Sequence, residues 1–468
     1  MTTLRMLVGL GFAWLIGWLC LAIALPRFAQ RRAEIWLRLP FALGAGLGLS
    51  SLSYFLWMPL SGSFPWGFAL GEILLAGSLI LLRLLSRRRE TDLLTENNLP
   101  SKPPVFLSLA FYGVTAWALL NFFLRSFTQQ HGNWDAWSIW NLAARFLYRG
   151  GEYWRNAFSP VLFHGDYPLL VPANVARLWV FAGKESLYAS WLVALVYFAG
   201  TILLLIAAIQ ILRGNTHALV GGLMLISATA FTVYGASQVA DVPAGFYLLA
   251  AGVAILMSDH YPAVRPRWLA LAGFFGSLAA WTKNEGWLIC AALAGCLMLV
   301  GWVREDRKAA LRSTLIFAAG AAPVLLFVAV FKIVYAPPND LIAGQGSVTL
   351  ARLVDPPSYL TVARGLLYQT FRMDVKRSTP LIMLFLFGTI LGLRREALQS
   401  SGFAILTGAL LVVLSGYFFI FMISPHPLLW HLEDPPPRLF LHLWPTAILL
   451  FTLALPSQLQ PAEEKWPS

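Results

Sequence analysis

From Met6 to Leu25 the chain carries no charged side chain, and apolar runs of similar length return along the whole sequence, many of them closed by arginine. This recurrence limits the fold more than any other feature. A run of about 20 apolar residues crosses the hydrocarbon core of a bilayer as an α-helix, which satisfies its own backbone groups where no water can. The composition agrees: 58% of residues are hydrophobic and 12% charged, with a mean hydropathy of +0.67. Ordinary soluble domains are about a quarter charged. An all-α, polytopic, integral membrane protein is therefore expected, and 468 residues leave room for more than about ten spans.

Thirteen spans are expected in order. Met6 to Leu25 is too weakly basic at its start for a cleaved signal peptide and reads as a retained span. Phe41 to Leu60, Trp66 to Leu85 and Val105 to Leu124 follow, then Leu187 to Leu212, Ala218 to Tyr234, Val242 to Met257 and Trp268 to Trp281. Gly286 to Val303, Ser313 to Val334, Pro380 to Leu393, Phe403 to Met422 and Leu439 to Leu455 complete the set. Two arginine-rich segments, Arg27 to Arg38 and Arg83 to Lys102, belong in the cytoplasm by the bias of basic residues toward that side. The amino terminus is then outside, the carboxyl terminus inside, and Val105 to Leu124 runs outward. Three regions follow: residues 1–104 with three spans and a cytoplasmic linker, a membrane domain over 105–456 with large outer loops at 125–186 and 335–379, and a tail over 457–468.

The net charge of +12 and pI near 9.8 are those of cytoplasmic loops, not of a nucleic-acid-binding module, because no basic run is interleaved with stacking aromatics. Cys20, Cys290 and Cys296 all lie in apolar stretches and read as small core residues.

Against this background the polar residues of the outer loops stand out. His131 to Pro168 contains Asp135 between two tryptophans and Asp166 in His-Gly-Asp-Tyr-Pro. Trp134 to Tyr148 is expected as an interfacial amphipathic helix with Trp137, Asn141, Ala144 and Tyr148 on one stripe, ended by Gly150-Gly151. Leu169 to Phe181 is expected as a second surface helix, and Tyr359 to Phe371 as a further amphipathic segment. Elsewhere on the same side stand Asp241, Lys283 with Glu285, and the segment holding Arg438 and His442. Each has an ordinary reading. Asp135 and Asp241 suit helix caps, Asp166 a turn, and Lys283 and Arg438 anchors that extend to the headgroups. Ionisable groups at membrane depth nevertheless tend to be functional. A carboxylate can take a proton from an acceptor hydroxyl, and a fixed cation can stabilise a phosphate leaving group carried on a lipid.

The order of these features resembles the C superfamily of membrane glycosyltransferases, in particular the bacterial relatives of protein O-mannosyltransferases and of the lipid A aminoarabinose transferase. The resemblance runs from Val105 to Leu455. It rests on an acidic residue early in a large outer loop, Asp135; a second before an apolar run, Asp241; the segment Leu278-Ala-Ala-Trp-Thr-Lys283; and Arg438 ahead of a proline-containing last span. Three spans precede the acidic loop where better-known members have one, and Trp-Asp-Ala-Trp stands where an Asp-Glu pair is common. The resemblance implies a polyprenyl-phosphate-sugar-dependent, inverting glycosyltransferase in a bacterial-type cytoplasmic membrane, working at its outer face on a lipid, glycan or protein acceptor. Asp135, Asp166 and Asp241 are the catalytic candidates, with Asp135 as general base; Lys283, Glu285, Arg438 and His442 are the donor-binding candidates. No cofactor is certain from these residues. His131 with Asp135 and His164 with Asp166 lack the accompanying motif of a metal site, so no metal ligands are assigned and a divalent ion is left open. The alternative is a transporter or flippase for a lipid-linked or polar solute. That class places its polar groups near the middle of broken helices, not at one side.

Overall fold

The computed structural model describes residues 1–25, 31–61, 65–85, 102–339, 346–371, 384, 386, 388–390, 392–433 and 435–456. Among these every regular element is helical. The first half comprises α1 (Thr2–Ala24), α2 (Arg31–Ser61), α3 (Pro65–Leu85), α4 (Val105–Thr128), α5 (Asn141–Arg149), α6 (Leu170–Ala182), α7 (Leu187–Arg213), α8 (Asn215–Ser227) and α9 (Thr229–Ala236). The second comprises α10 (Asp241–His260), α11 (Arg265–Thr282), α12 (Gly286–Arg304), α13 (Arg307–Val334), α14 (Ser347–Leu353), α15 (Pro356–Phe371), α16 (Arg395–Gln399), α17 (Ser401–Ile423), α18 (Leu428–Glu433) and α19 (Pro435–Ala454).

Nine of the described helices are long and apolar enough to cross a membrane, and the pair α8–α9 makes up to ten. The chain is an integral membrane protein. Helices α11 and α19 occupy the expected segments Trp268 to Trp281 and Leu439 to Leu455. Half of the expected segment Pro380 to Leu393 lies outside the described residues, as do most of the linker Arg83 to Lys102 and the tail 457–468. Ala218 to Tyr234, expected as one span, is bent by 66° between α8 and α9. Ala228 is extended there, with ψ 102, although no proline or glycine marks the break.

Lipid tails are as apolar as leucine, so helices in a membrane associate through close packing and polar contacts rather than through exclusion of water. Glycine provides the closest approaches. A Cβ on Gly17 of α1 would lie 1.9 Å from the Ala42 carbonyl oxygen of α2, and one on Gly46 would lie 1.8 Å from that of Ala13. Gly273 of α11 and Gly320 of α13 cross in the same way: a Cβ on either would lie 1.9 Å from a facing carbonyl oxygen. Helix α10 is buried along nearly its whole length and forms the centre of the bundle.

The outer-loop helices depart from expectation in two places. Leu170–Ala182 is not a surface helix: every one of its residues is buried. Asn174 donates to the Leu47 carbonyl at 3.1 Å, and Arg177 is completely buried against Glu72 of α3, with Nε 2.8 and 2.9 Å from the two carboxylate oxygens. Arg177 Nη2 also donates to the Gly9 carbonyl at 2.6 Å, so one guanidinium ties α6 to α3 and α1. The second departure is the start of the expected helix Trp134 to Tyr148, where Ala136–Trp140 forms a π-helical turn and α-helix begins only at Asn141. A π-turn has i→i+5 hydrogen bonds and so shifts the stripe. Trp137 is therefore half exposed while Ser138, Asn141 and Ala144 are buried. The helix ends at Gly150 as expected.

Candidate active site

Asp241 is the hub of the site. It is the first residue of α10, where the partial positive charge of a helix start favours a carboxylate, and it is fully buried. Its Oδ1 accepts from Lys283 Nζ at 2.9 Å and lies 3.2 Å from His442 Nε2. Its Oδ2 accepts from Arg438 Nε at 3.1 Å and Nη2 at 3.0 Å. The third arm of the same guanidinium, Nη1, donates to Asp135 Oδ2. One arginine on α19 thus joins two carboxylates that lie 106 positions apart in sequence.

Local sequence explains how each partner arrives. Lys283 closes α11 and Gly286 opens α12; a Cβ on Gly286 would lie 2.0 Å from the Ala279 carbonyl carbon, so the tight Lys-Asn-Glu-Gly turn requires glycine there. The turn sets Glu285 Oε1 3.3 Å from Lys283 Nζ. Burial opposes the charge on Lys283, but Asp241 and Glu285 outweigh it and hold the ammonium above the ordinary lysine range. Burial likewise raises the Glu285 carboxyl, and Lys283 more than reverses this, leaving it below the usual glutamate value. Both are therefore charged at neutral pH. His442 is completely buried behind Asp241, and its Nδ1 is 2.8 Å from the Tyr417 hydroxyl of α17. It faces the carboxylate and not an open surface.

Asp135 does not cap the turn it precedes. Asn133 does so instead, its Oδ1 accepting from the Ala136 backbone at 3.0 Å, which leaves the Asp135 carboxylate to Arg438. The loop is held by Gly132 at φ 75, where a Cβ would lie 2.6 Å from the Ser237 carbonyl oxygen. A buried amide network completes the attachment: Asn141 donates to Gln238 Oε1 at 3.0 Å and accepts from Ser190 at 2.8 Å, while Gln238 donates to the Gln130 carbonyl at 3.1 Å. Gln238 adopts φ 61, an uncommon backbone for a residue with a side chain, three positions before Asp241.

Asp166 belongs to an adjoining cluster. It is buried, and its Oδ2 accepts from Asn284 at 2.7 Å, Asn339 at 2.8 Å and Lys332 at 3.2 Å; Lys332 also donates to its backbone carbonyl. Asn284 lies between Lys283 and Glu285, so the two clusters share one turn. Sequence reasoning did not single out Lys332, Asn339 or Tyr417. The only signal for Lys332 is a lysine near the end of an apolar run, followed by polar Asn339 after Pro-Pro. Two buried acceptor atoms, Asn284 Oδ1 and Glu285 Oε2, have no hydrogen-bond partner among the described residues. Among those residues no group of three His, Cys, Asp or Glu side chains is placed to hold a metal ion.

Helices α17 and α19 carry this polar cluster on one side and an apolar groove on another. His442 faces Asp241 with Tyr417 behind it, whereas Leu414, Phe418, Leu443 and Trp444, with Leu367 of α15, line a cavity of about 610 Å³. The groove begins two residues along α19 from Arg438, at Phe440.

No family model and no curated protein matches the chain. Among solved structures, the fold is similar to the crystal structure of ArnT from Cupriavidus metallidurans in the apo state, with 14% sequence identity and a TM-score of 0.46, over 72% of this chain and 58% of that one. This chain spans a little under three fifths of that protein's length.

Proposed function

We propose that the protein is a membrane glycosyltransferase that moves a sugar from a polyprenyl-phosphate donor to a hydroxyl on a lipid, glycan or protein acceptor, at the outer face of a bacterial-type cytoplasmic membrane. The observation that carries this reading is the meeting of Asp135, Asp241, Lys283 and Arg438 in one ion-paired cluster beside an apolar groove. The cations suit a phosphate, the groove suits a prenyl chain, and a partly exposed carboxylate next to them suits a base. Charged groups gathered at helix ends also favour chemistry at a surface over a midplane transport site. The sequence resemblance to the C superfamily points the same way.

In this reading the acceptor oxygen attacks the anomeric carbon from the face opposite the leaving group. A carbon–oxygen bond forms to the acceptor as the bond from that carbon to the phosphate oxygen breaks. The electron pair leaves on polyprenyl phosphate, the acceptor proton passes to Asp135, and the anomeric configuration inverts. Arg438 and Lys283 stabilise the charge that develops on the phosphate. Asn284 Oδ1 and Glu285 Oε2, buried acceptors without donors, suit sugar hydroxyls, since an unmet buried acceptor is costly and a ligand donor relieves the cost. His442 and Tyr417 orient Asp241, and Asp166 holds the Lys-Asn-Glu turn.

Binding of a labelled polyprenyl-phosphate sugar to the purified protein tests the donor site. Lys283→Met and Arg438→Met should each weaken binding by roughly tenfold or more, the scale of one lost charge-assisted hydrogen bond, with a smaller loss for Lys283→Arg. Unchanged affinity in both methionine variants would rule out the site.

A further inference from the structure

Three carboxylates, Asp135, Asp241 and Glu285, face two cations, Lys283 and Arg438, so the cluster already holds one negative charge more than it balances with His442 neutral. A phosphate cannot simply be added to it. Every side-chain nitrogen of Arg438 already donates to a carboxylate: Nε and Nη2 to Asp241, Nη1 to Asp135. The two carboxylates differ in how firmly they are held. Asp241 is fully buried and accepts from Arg438 and Lys283 with His442 alongside, whereas the Asp135 side chain is 19% exposed and its carboxylate has Arg438 as its ion-pair partner. Arg438 Nη1 thus meets the less buried of the two carboxylates, at the entrance to a π-helical turn, a deformation that is common at functional sites.

We infer that Asp135 is an internal stand-in for the donor phosphate: the incoming phosphate displaces it from Arg438 Nη1, and the released carboxylate becomes available as a base only when donor is bound. This rests on the donor reading above and adds an order to it. A carboxylate oxygen that accepts from a guanidinium has a lone pair engaged there, so its release opens that oxygen to an acceptor hydroxyl. Coupling its release to donor binding keeps the base paired in the empty site and ready beside the occupied one.

The exchange has an unusual consequence for binding. Removing a general base ordinarily leaves donor affinity unchanged, but removing a competitor raises it. With a short-chain polyprenyl phosphate lacking sugar as the probe, Asp135→Asn should bind about tenfold more tightly than the unmodified protein, the scale of one hydrogen bond to a charged group no longer displaced. The gain should vanish in an Arg438→Met background, where Asp135 has no cation to occupy. Asp135→Ser serves the same purpose should the asparagine variant fail to fold. Binding by the unmodified protein that is equal or weaker in the variants overturns the exchange alone and leaves the donor reading standing. Absence of binding by the unmodified protein and the variants overturns both.

Discussion

Replacing Asp135 with asparagine should lower sugar transfer by about 10²–10⁴-fold, the usual loss when a general base is removed, while the purified protein keeps its thermal stability in detergent. The two parts of this expectation have separate grounds. Asn133 caps the turn, and Asn141, Gln238 and Ser190 hold the loop, so the fold around position 135 does not depend on its carboxylate. Chemistry does depend on it, because among the candidate carboxylates Asp241 is enclosed by cations and Asp166 is tied to two asparagines and a lysine. Release of polyprenyl phosphate from a labelled donor measures the rate. A well-folded Asp135→Asn protein that transfers sugar normally would remove Asp135 from the mechanism.

Asp241 should behave in the opposite way, as a residue on which both structure and activity depend. Asp241→Asn takes from Lys283 and Arg438 their common partner, leaving Lys283 to Glu285 and Arg438 to Asp135, and buried donors left short of an acceptor cost about 1–3 kcal/mol. A clear fall in melting temperature is expected, together with loss of transfer. Adding Lys283→Met to Asp241→Asn should not recover the stability, since it leaves Glu285 without the cation beside it. It should not recover activity either. Melting of Asp241→Asn at the temperature of the unmodified protein, or transfer regained in the double variant, would show that the cluster is not organised around this carboxylate.

Much of the architecture is legible in the sequence because a bilayer imposes a length and a polarity on every span. Arginine placement marks where helices turn, and Asp241, Lys283 and Arg438 are visible as charges at the ends of apolar runs. What sequence does not reveal is partnership. Arg177 reads as a polar residue on a surface helix until Glu72, 105 positions earlier, is found against it, and then the whole of Leu170–Ala182 is seen to be interior. The π-turn after Asp135 changes which residues face inward without any proline or glycine to announce it, and the 66° bend at Ala228 is similarly unmarked. Lys332 and Tyr417 are missed for the same reason: each sits in or beside an apolar helix, and only the fold reveals that Asp166 and His442 are next to them.

The most direct test is to incorporate the purified protein into liposomes with a polyprenyl-phosphate sugar labelled in the sugar, supply candidate lipid, glycan and protein acceptors, and follow the label. Loss of label from the polyprenyl lipid, matched by release of polyprenyl phosphate and abolished in Arg438→Met, is the expected result. A protein that moves the intact labelled lipid across the bilayer without breaking its sugar–phosphate bond would contradict it and identify a transporter instead.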